Sequence, residues 1–374
     1  MAVNKLDITM MEDVGTSANQ LLQRDGSGNI PAIDGSQIIN IDPGFTVSTS
    51  DPAVDTNPSG GVGSLWYNKT DGEMYVCTDA TAGANVWTNV GAGSGNVEPW
   101  AWQGETYGYT SGGYGGGYSN EIAKYSFTTD GNGTDVGDLT RTGDNISGTS
   151  SENYGYTAGG SNSNVIDKFP FASDTNASDV GDLLAGVSAS GGAGSTTHGY
   201  ISNTAYIQKW QYASDANATD VGDQTVPRAL GANASSATYG YAVGGDEPPN
   251  LKNVIDRWPF ASDANATDVG DLHTAQQAGA CANSTTYAYE AGVSITNKFS
   301  FASGTQNATS LGNLLTVARN SMTASSSTTY AYYTSGYASG DKNIIDKMSY
   351  SSEGNCTDVG DLPTTRRTPS GQQV

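Results

Sequence analysis

The feature that most constrains this chain is an internal repeat that runs from about residue 98 onward. The triplet Tyr-Gly-Tyr, or a close variant, recurs at intervals of 41 to 48 residues. Its copies begin at Tyr107, Tyr154, His198, Tyr239, Tyr287 and Tyr330. A second marker, Asp-Val-Gly-Asp or a degenerate copy of it, begins at Asp135, Asp179, Asp220, Asp268, Ser310 and Asp358. Two independent markers therefore count the same six units, and the repeat decides the fold.

Each unit divides into four short strands. In the fourth unit these are residues 231–238, 239–245, 254–260 and 268–272. Trp258 and Phe260 lie two positions apart on the third strand and so point to one face. Four strands in about 40–50 residues is the period of a β-propeller blade, and the units lack the 3.6-residue apolar stripe of a helix. The sequence therefore predicts an all-β fold with six blades.

The second strand and its flanks carry a resemblance to a known family. Tyr156-Thr-Ala-Gly-Gly160 and Tyr241-Ala-Val-Gly-Gly245 end in paired glycines, and basic residues precede some first strands, at Arg228, Arg319 and Arg367. In these features residues 98–374 resemble kelch propellers. Kelch units usually carry a tryptophan in the fourth strand, where this chain has Asp-Val-Gly-Asp-Leu. The resemblance implies a kelch-like, six-bladed β-propeller.

Such a propeller must close, because an open row of blades would leave unpaired strand edges. Two segments compete for the open first-strand position of the first blade. Residues 366–374 follow the sixth fourth strand, and residues 99–104 precede the first unit. Both alternatives remain open at the level of sequence.

The first 97 residues contain none of the repeat markers. Residues 1–42 hold short apolar pairs, Leu21/Leu22 and Ile38/Ile39, between Gly/Asn/Asp turns, and bury little area alone. Residues 43–97 predict a small β-meander with a turn at residues 68–72 and a Trp-bearing last strand. The phrases "DGSGN" and "IDGSQ" and the meander together resemble tailed-phage fibre and virion structural proteins, particularly those of marine cyanobacterial phages. That resemblance implies a virion-attachment and oligomerisation segment, most simply of a trimer.

The amino-acid composition narrows the range of possible binding partners. Against 38 acidic residues stand 16 basic ones, giving a net charge of -22, which repels phosphate backbones and argues against nucleic-acid binding. No apolar run approaches the ~18 residues of a membrane helix, and no secretory signal is visible. The three cysteines are widely spaced and form neither a disulfide framework nor a CxxC site.

The repeated Asp/Asn turns allow several interpretations. The turn at residues 174–179 has counterparts beginning at Asp130, Asp215, Asp263 and Glu353. Alternating oxygen side chains could ligate calcium, or could cap their own backbone in a hairpin; we favour the hairpin. The same turns create Asn-x-Ser/Thr sequons, which we interpret as turn residues rather than glycosylation sites. The two histidines, His198 and His273, lie at non-equivalent positions, so no catalytic set, metal site or cofactor is expected, and we predict no enzyme.

Loops that vary in length between units are better candidates for recognition than the third-strand aromatics, and the alternative for each is an idle surface loop. Three stretches stand out, residues 112–118, 245–252 and 330–337. From them we predict the ligand-binding residues Tyr114, Tyr118, Asp246, Glu247, Tyr333 and Tyr337.

The resemblance and the missing catalytic set predict a phage tail fibre or fibre-like adhesin. It would be assembled in the host cytoplasm and exposed on the virion, joined to other tail or neck proteins through its N-terminus. Its propeller would bind host surface polysaccharide or another receptor. The alternatives are a glycan-degrading depolymerase, and a capsid or neck decoration protein without a receptor role.

Overall fold

The computed structural model describes residues 45–91, 102–188, 191–293, 295–302 and 306–374. The chain divides into two compact units, Met1–Pro99 and Trp100–Val374. The described residues form strands and no helix, which confirms the predicted all-β class. The predicted attachment segment, residues 1–42 with its apolar pairs Leu21/Leu22 and Ile38/Ile39, lies outside the described residues.

The first unit holds one four-stranded sheet. Its strands, in spatial order, are β1 (Phe45–Ser48), β2 (Leu65–Asn68), β3 (Met74–Asp79) and β4 (Val86–Asn89). Strands β2 to β4 form the antiparallel meander that the sequence predicts, and β1 adds to it in parallel. Tyr75, Cys77 and Trp87 are almost completely buried and form its small core.

In the described residues, the second unit contains six sheets of three or four strands in chain order and one two-stranded hairpin, and their strands are antiparallel. Sheet 1 holds β5 (Tyr107–Tyr114), β6 (Tyr118–Ser126) and β7 (Thr134–Gly143). Sheet 2 holds β8 (Ser147–Ser150), β9 (Tyr154–Ala158), β10 (Ser163–Pro170) and β11 (Ser178–Val187). Sheet 3 has three strands, β12 (Gly191–Gly194), β13 (His198–Gln211) and β14 (Thr219–Arg228), because the long β13 takes the place of the second and third strands.

The remaining sheets follow the same plan. Sheet 4 holds β15 (Ala232–Ser235), β16 (Tyr239–Val243), β19 (Val254–Pro259) and β20 (Thr267–Asp271), with the side hairpin β17 (Asp246–Glu247) and β18 (Asn250–Leu251). Sheet 5 holds β21 (Ala280–Asn283), β22 (Tyr287–Ala291), β23 (Thr296–Ser300) and β24 (Thr309–Ser310). Sheet 6 holds β25 (Thr323–Ser326), β26 (Tyr330–Thr334), β27 (Lys342–Ser349) and β28 (Thr357–Arg366).

The last strand of the chain completes the first sheet. Strand β29 (Ser370–Gln373) pairs antiparallel with β5, so that Ser370 lies opposite Ser111. The buried Ser111 hydroxyl donates to Gln372 Oε1 at 2.9 Å. Of the two segments that compete for this position in sequence, residues 366–374 therefore supply the strand. Of the other segment, residues 99–101 lie outside the described residues, and Gly104 makes an isolated bridge to Ser327.

The apolar core lies between sheets rather than within them. Six clusters of buried side chains each join two consecutive sheets, and one of them joins sheet 6 back to sheet 1 through Tyr332, Ile345, Tyr125 and Phe127. Trp258 is fully buried in sheet 4 and packs with Phe260 on Tyr200 of sheet 3. Both faces of each sheet are thus covered, and burial of this apolar area stabilises the contacts between sheets.

The Asp-Val-Gly-Asp marker lets neighbouring sheets approach closely. In sheet 2, Gly181 has φ +157° and a Cβ there would lie 2.6 Å from the carbonyl oxygen of Ala216 in the next turn. The Asn217 side chain of that turn accepts from the Asp182 backbone N–H at 3.0 Å. Only glycine fits such a gap. The sequon asparagines Asn132, Asn176, Asn217, Asn265 and Asn307 make the same bond to the preceding sheet, the first of them to sheet 6.

Backbone hydrogen bonds also link the residues that precede the first strands. Asn145, Leu230, Ala278, Ser321 and Thr368 share φ values of 53–54°. Four of these five residues donate their N–H to the equivalent carbonyl of the preceding unit. One of the four is Asn145, which donates to the Thr368 carbonyl at 2.9 Å. The first strands β8, β12, β15, β21, β25 and β29 contact one another in that order, and β29 contacts β8.

Candidate functional site

Two of the predicted recognition tyrosines lie opposite each other on one hairpin. Tyr114 ends β5 and Tyr118 begins β6, so the two residues pair across the turn. Their ring centroids are 5.5 Å apart in an edge-on arrangement. The turn consists of Gly115, Gly116 and Gly117. A Cβ on Gly115 would lie 2.0 Å from the carbonyl oxygen of Thr365, so only glycine allows this approach.

Arg367 brings a third predicted tyrosine to this hairpin. Its guanidinium carbon lies 4.8 Å from the Tyr114 ring centroid and 5.1 Å from that of Tyr337. The backbone of Arg367 exchanges two hydrogen bonds of 2.9 Å with that of Tyr114, which fixes the strand-to-hairpin contact. Asp341 accepts from Arg367 Nη1 at 3.3 Å. We call Tyr114, Tyr118, Tyr337, Asp341 and Arg367 the tyrosine–arginine cluster.

The tyrosine–arginine cluster has the chemistry of a recognition site. Tyr118 and Tyr337 are 58% and 43% exposed, and the Arg367 side chain is 36% exposed. Phenol rings present flat apolar faces and a hydroxyl, and a guanidinium held against them keeps its outward N–H donors in a fixed plane. Together they can stack on a sugar ring and donate to its oxygens.

The other predicted site residues lie elsewhere. Tyr333 is fully buried, and its hydroxyl donates to the Tyr289 carbonyl at 3.0 Å, so it is a core residue that offers no surface to a ligand. Asp246 and Glu247 form strand β17 in the side hairpin of sheet 4, where Glu247 pairs with Lys252 at 2.8 Å. Within the described residues, no recorded hydrogen bond, ion pair or ring contact joins this hairpin to the tyrosine–arginine cluster.

A cation lies over the first tyrosine of most repeat markers. The pairs are Lys124/Tyr107, Lys168/Tyr154, Arg257/Tyr239, Lys298/Tyr287 and Lys347/Tyr330, at 3.9 to 5.0 Å from the ring centroids. His198 takes the tyrosine's place in sheet 3, where burial, and then the charge of Lys209, lower its pKa.

The same lysines hold the acidic turns of the next sheet. Lys124 lies 2.5 Å from Asp174, and Lys347 of sheet 6 lies 2.7 Å from Asp130 of sheet 1. The turn acids thus have cationic partners, and the turn asparagines cap the backbone of the preceding sheet rather than that of their own hairpin. Among the described residues, no group of three or more His, Cys, Asp or Glu side chains is placed to hold a metal ion.

We describe four cavities lined by residues of the second unit. One of about 110 Å³ lies among the first strands of all six sheets and is bordered by Gly148, Gly192, Asn233 and Cys281. A groove of about 460 Å³ lies between sheets 5 and 6, and another of about 320 Å³ lies beside Leu184 and Tyr206. Each of the four has at most one carboxylate among its described lining residues.

One buried carboxylate has no cationic partner among its recorded contacts. Glu290 is 2% exposed and accepts from Gln276 Nε2 and from Asn297 Nδ2, the latter at 3.0 Å. Burial raises the pKa of this carboxyl to about 7. The sequence analysis did not single it out, because one Glu inside a Tyr-Ala-Tyr-Glu strand carries no pattern that distinguishes it from a surface residue.

Comparison with known proteins finds no matching family model and no significantly similar curated protein. In the described part of the chain, no helix is long and apolar enough to cross a membrane.

Proposed function

We propose that residues 98–374 form a six-bladed, kelch-like β-propeller in which sheets 1 to 6 are the blades. Three observations support this. The apolar clusters and the first strands return from sheet 6 to sheet 1. The Lys347–Asp130 ion pair and the Asn132 cap cross that same junction. Strand β29 pairs with β5, which joins the two ends of the repeat region within one blade.

We further propose that this protein is a virion adhesin, a tail fibre or fibre-like protein whose propeller binds polysaccharide on a host cell. The tyrosine–arginine cluster is the observation that carries the binding role. Two loops from different units, unusual in length, bring Tyr114 and Tyr337 to Arg367, and Tyr118 packs edge-on against Tyr114. Aromatic side chains at exposed, rigid positions are the usual anchors of recognition sites. The virion role rests on the resemblance of residues 1–97 to phage fibre proteins.

The test is retention of polysaccharide by the full chain. Immobilised protein is incubated with cell-surface polysaccharides of cyanobacteria, and both bound and released sugar are measured. We expect retention without release of oligosaccharides. The variants Tyr118→Ala and Tyr337→Ala should weaken retention by about tenfold or more. Tyr206→Ala is the matched control, because Tyr206 is also 58% exposed but belongs to sheet 3. No retention by the wild-type protein would contradict the proposal.

Release of oligosaccharides would instead identify a depolymerase, the second candidate. Such enzymes commonly use two carboxylates about 5–10 Å apart in one pocket. Each of the four cavities described above has at most one carboxylate among its described lining residues. A decoration protein without a receptor role would neither retain nor release sugar.

For assembly, we propose a homo-oligomer, most simply a trimer, held through residues 1–97. Light scattering on the full chain and on residues 98–374 tests it. A propeller fragment that associates as strongly as the full chain would contradict it.

A further inference from the structure

The groove between sheets 5 and 6 has no role in the tyrosine–arginine cluster. It is the largest of the four cavities at about 460 Å³, within the range of small-molecule sites. Tyr287 and Tyr330 are half-buried at its sides, each with a lysine over its ring. Tyr289 and Tyr350 also line the groove and stack on each other, with ring centroids 5.0 Å apart.

Glu353 is what makes this groove different from the other junctions. Each turn acid of the described junctions pairs with a lysine of the preceding sheet, and Asp130, Asp174, Asp215 and Asp263 are 51–57% exposed in their side chains. Glu353 is one methylene longer and only 26% exposed. Its Oε1 accepts both from Lys298 Nζ and from the Tyr289 hydroxyl, the latter at 2.9 Å. The carboxylate is therefore held inside the groove, and its second oxygen takes part in neither bond.

The rim of the groove consists of small hydroxyl side chains. Thr285, Thr286, Thr328 and Thr329 are exposed on the two strand turns, and Ser351 is exposed on the acidic turn. Flat aromatic walls, a fixed carboxylate acceptor and a hydroxyl rim match the alternating apolar faces and hydroxyl groups of a pyranose. With a net charge of -22, the protein repels acidic sugars.

We propose that this groove, which we call the Glu353 groove, binds a short uncharged oligosaccharide, with Glu353 accepting from sugar hydroxyls. This would be a second binding site, separate from the tyrosine–arginine cluster. It rests on the proposed adhesin function for its biological purpose, but the binding itself is measurable on its own.

The experiment uses full-length protein with cellotriose, maltotriose and chitotriose as probes. Saturation-transfer NMR detects contact with sugar protons, and calorimetric titration gives Kd. We expect at least one trisaccharide to bind. Ser351→Trp should abolish that binding by filling the groove. Glu353→Gln keeps the size of the side chain but removes its charge, and should weaken binding about tenfold or more.

Ala172→Trp is the matched control, because Ala172 is the exposed residue of sheet 2 at the position of Ser351. It should leave Kd unchanged. If Ser351→Trp binds as well as Ala172→Trp, or if the wild-type protein binds none of the three sugars, the Glu353 groove is not a saccharide site. Retention of host polysaccharide by the same wild-type sample then decides the adhesin proposal independently.

Discussion

Sheets 2, 4 and 6 differ from sheets 1, 3 and 5 at one buried position of the third strand. The even sheets carry Asp167, Asp256 and Asp346, each completely buried. The odd sheets carry Ala123, Gln208 and Asn297 there, and these too are almost inaccessible. The six units are therefore two alternating types, an arrangement that the repeat markers do not reveal.

The difference concerns one backbone N–H of the preceding sheet. Each even-sheet aspartate accepts from the backbone N–H and the hydroxyl of a threonine there; Thr225, for example, donates its N–H to Asp256 at 3.0 Å. Gln208 accepts from the Leu184 N–H at 2.8 Å and Asn297 from the His273 N–H at 3.1 Å. At the junction of sheet 6 with sheet 1, the residue that would donate this N–H is Pro363, and proline has no backbone N–H. The residue that faces it on sheet 1 is Ala123. An acceptor is present wherever a donor must be satisfied.

Even and odd sheets also differ in the charge of the side chain at this buried position. Arg228 and Arg319 are buried beside Asp256 and Asp346, with ion-pair distances of 2.9 and 2.6 Å. Among the described residues of sheets 3 and 5, the amide side chains Gln208 and Asn297 need no such cation. The comparison shows that an amide can satisfy the donor as an acid does, and that two of the three acids, Asp256 and Asp346, are paired with a buried arginine.

Breaking one buried ion pair should have the largest effect. Asp346→Ala leaves Arg319 buried and without its counter-charge, which should lower the free energy of unfolding by about 3–5 kcal/mol. Urea denaturation of the full chain measures it. The double variant Arg319→Met/Asp346→Leu should lose less than Asp346→Ala alone, since no unpaired charge remains. A greater loss in the double variant would contradict this account of the even sheets.

Glu290 in sheet 5 tests the opposite case, a buried carboxylate held by amides. Its folded-state pKa, about 7, lies above the ordinary 4.5, so the folded protein binds more protons between these values. Stability should therefore fall as pH rises from 4.5 to 7, by at most about 3 kcal/mol. Glu290→Gln should remove this loss and be more stable than the wild type at pH 8, with little difference at pH 4.5. Thermal unfolding at both pH values measures it, and equal stability at pH 8 would count against the raised pKa.

Removing the neutral acceptor should cost less than breaking the ion pair. Gln208→Ala leaves the Leu184 N–H without its acceptor, which should cost about 1–3 kcal/mol. Gln208→Glu would keep an acceptor but bury an unpaired charge, so it should be less stable than Gln208→Ala at pH 8. Denaturation of both variants beside the wild type provides the comparison, and a neutral Gln208→Ala would mean that water satisfies this N–H.

The exposed ion pairs, which even and odd sheets share, should matter least. Lys124→Met breaks the pair with Asp174, whose side chain is 53% exposed. Solvent and salt screen such pairs, so we expect a change of about 0–1 kcal/mol that shrinks further in 0.5 M salt. A larger, salt-independent loss would show that packing of the lysine stem over Tyr107 dominates.

The sequence predicts the repeat well, because its markers are positions where neighbouring sheets touch. Gly181 and Asn217 repeat since the close approach and the cap recur at five of the six junctions; at the junction of sheets 5 and 6, a Cβ on Gly312 would meet nothing within 4 Å. The alternation of even and odd sheets cannot be predicted in the same way. Aspartate, glutamine and asparagine at this position look like ordinary polar substitutions until the structure shows that each accepts from the equivalent backbone N–H of the preceding sheet. The sequence also cannot show which segment supplies the closing strand, since residues 99–104 and 366–374 are both short and polar.

The candidate site was only partly predictable. Loop length located Tyr114, Tyr118 and Tyr337, but Arg367 stood out only as a basic residue before a first strand, and Asp341 not at all. Tyr333 lies in strand β26, and both faces of that strand are buried. Alternation of polar and apolar residues along a strand identifies the solvent-exposed face only when the strand has one. Strand β26 has none, so the pattern could not show that Tyr333 is buried.

The pairing of β29 with β5 means that sheet 1 cannot be completed until β29 has been synthesised. Ser111 and Ser370 are 259 residues apart in sequence yet bonded in the same sheet. At about 5–20 residues per second, a ribosome makes the second partner some ten to fifty seconds after the first. During that time the edge of β5 is open to other strands. A chaperone that shields this edge before β29 is made would therefore raise the yield of the folded protein more than one added afterwards.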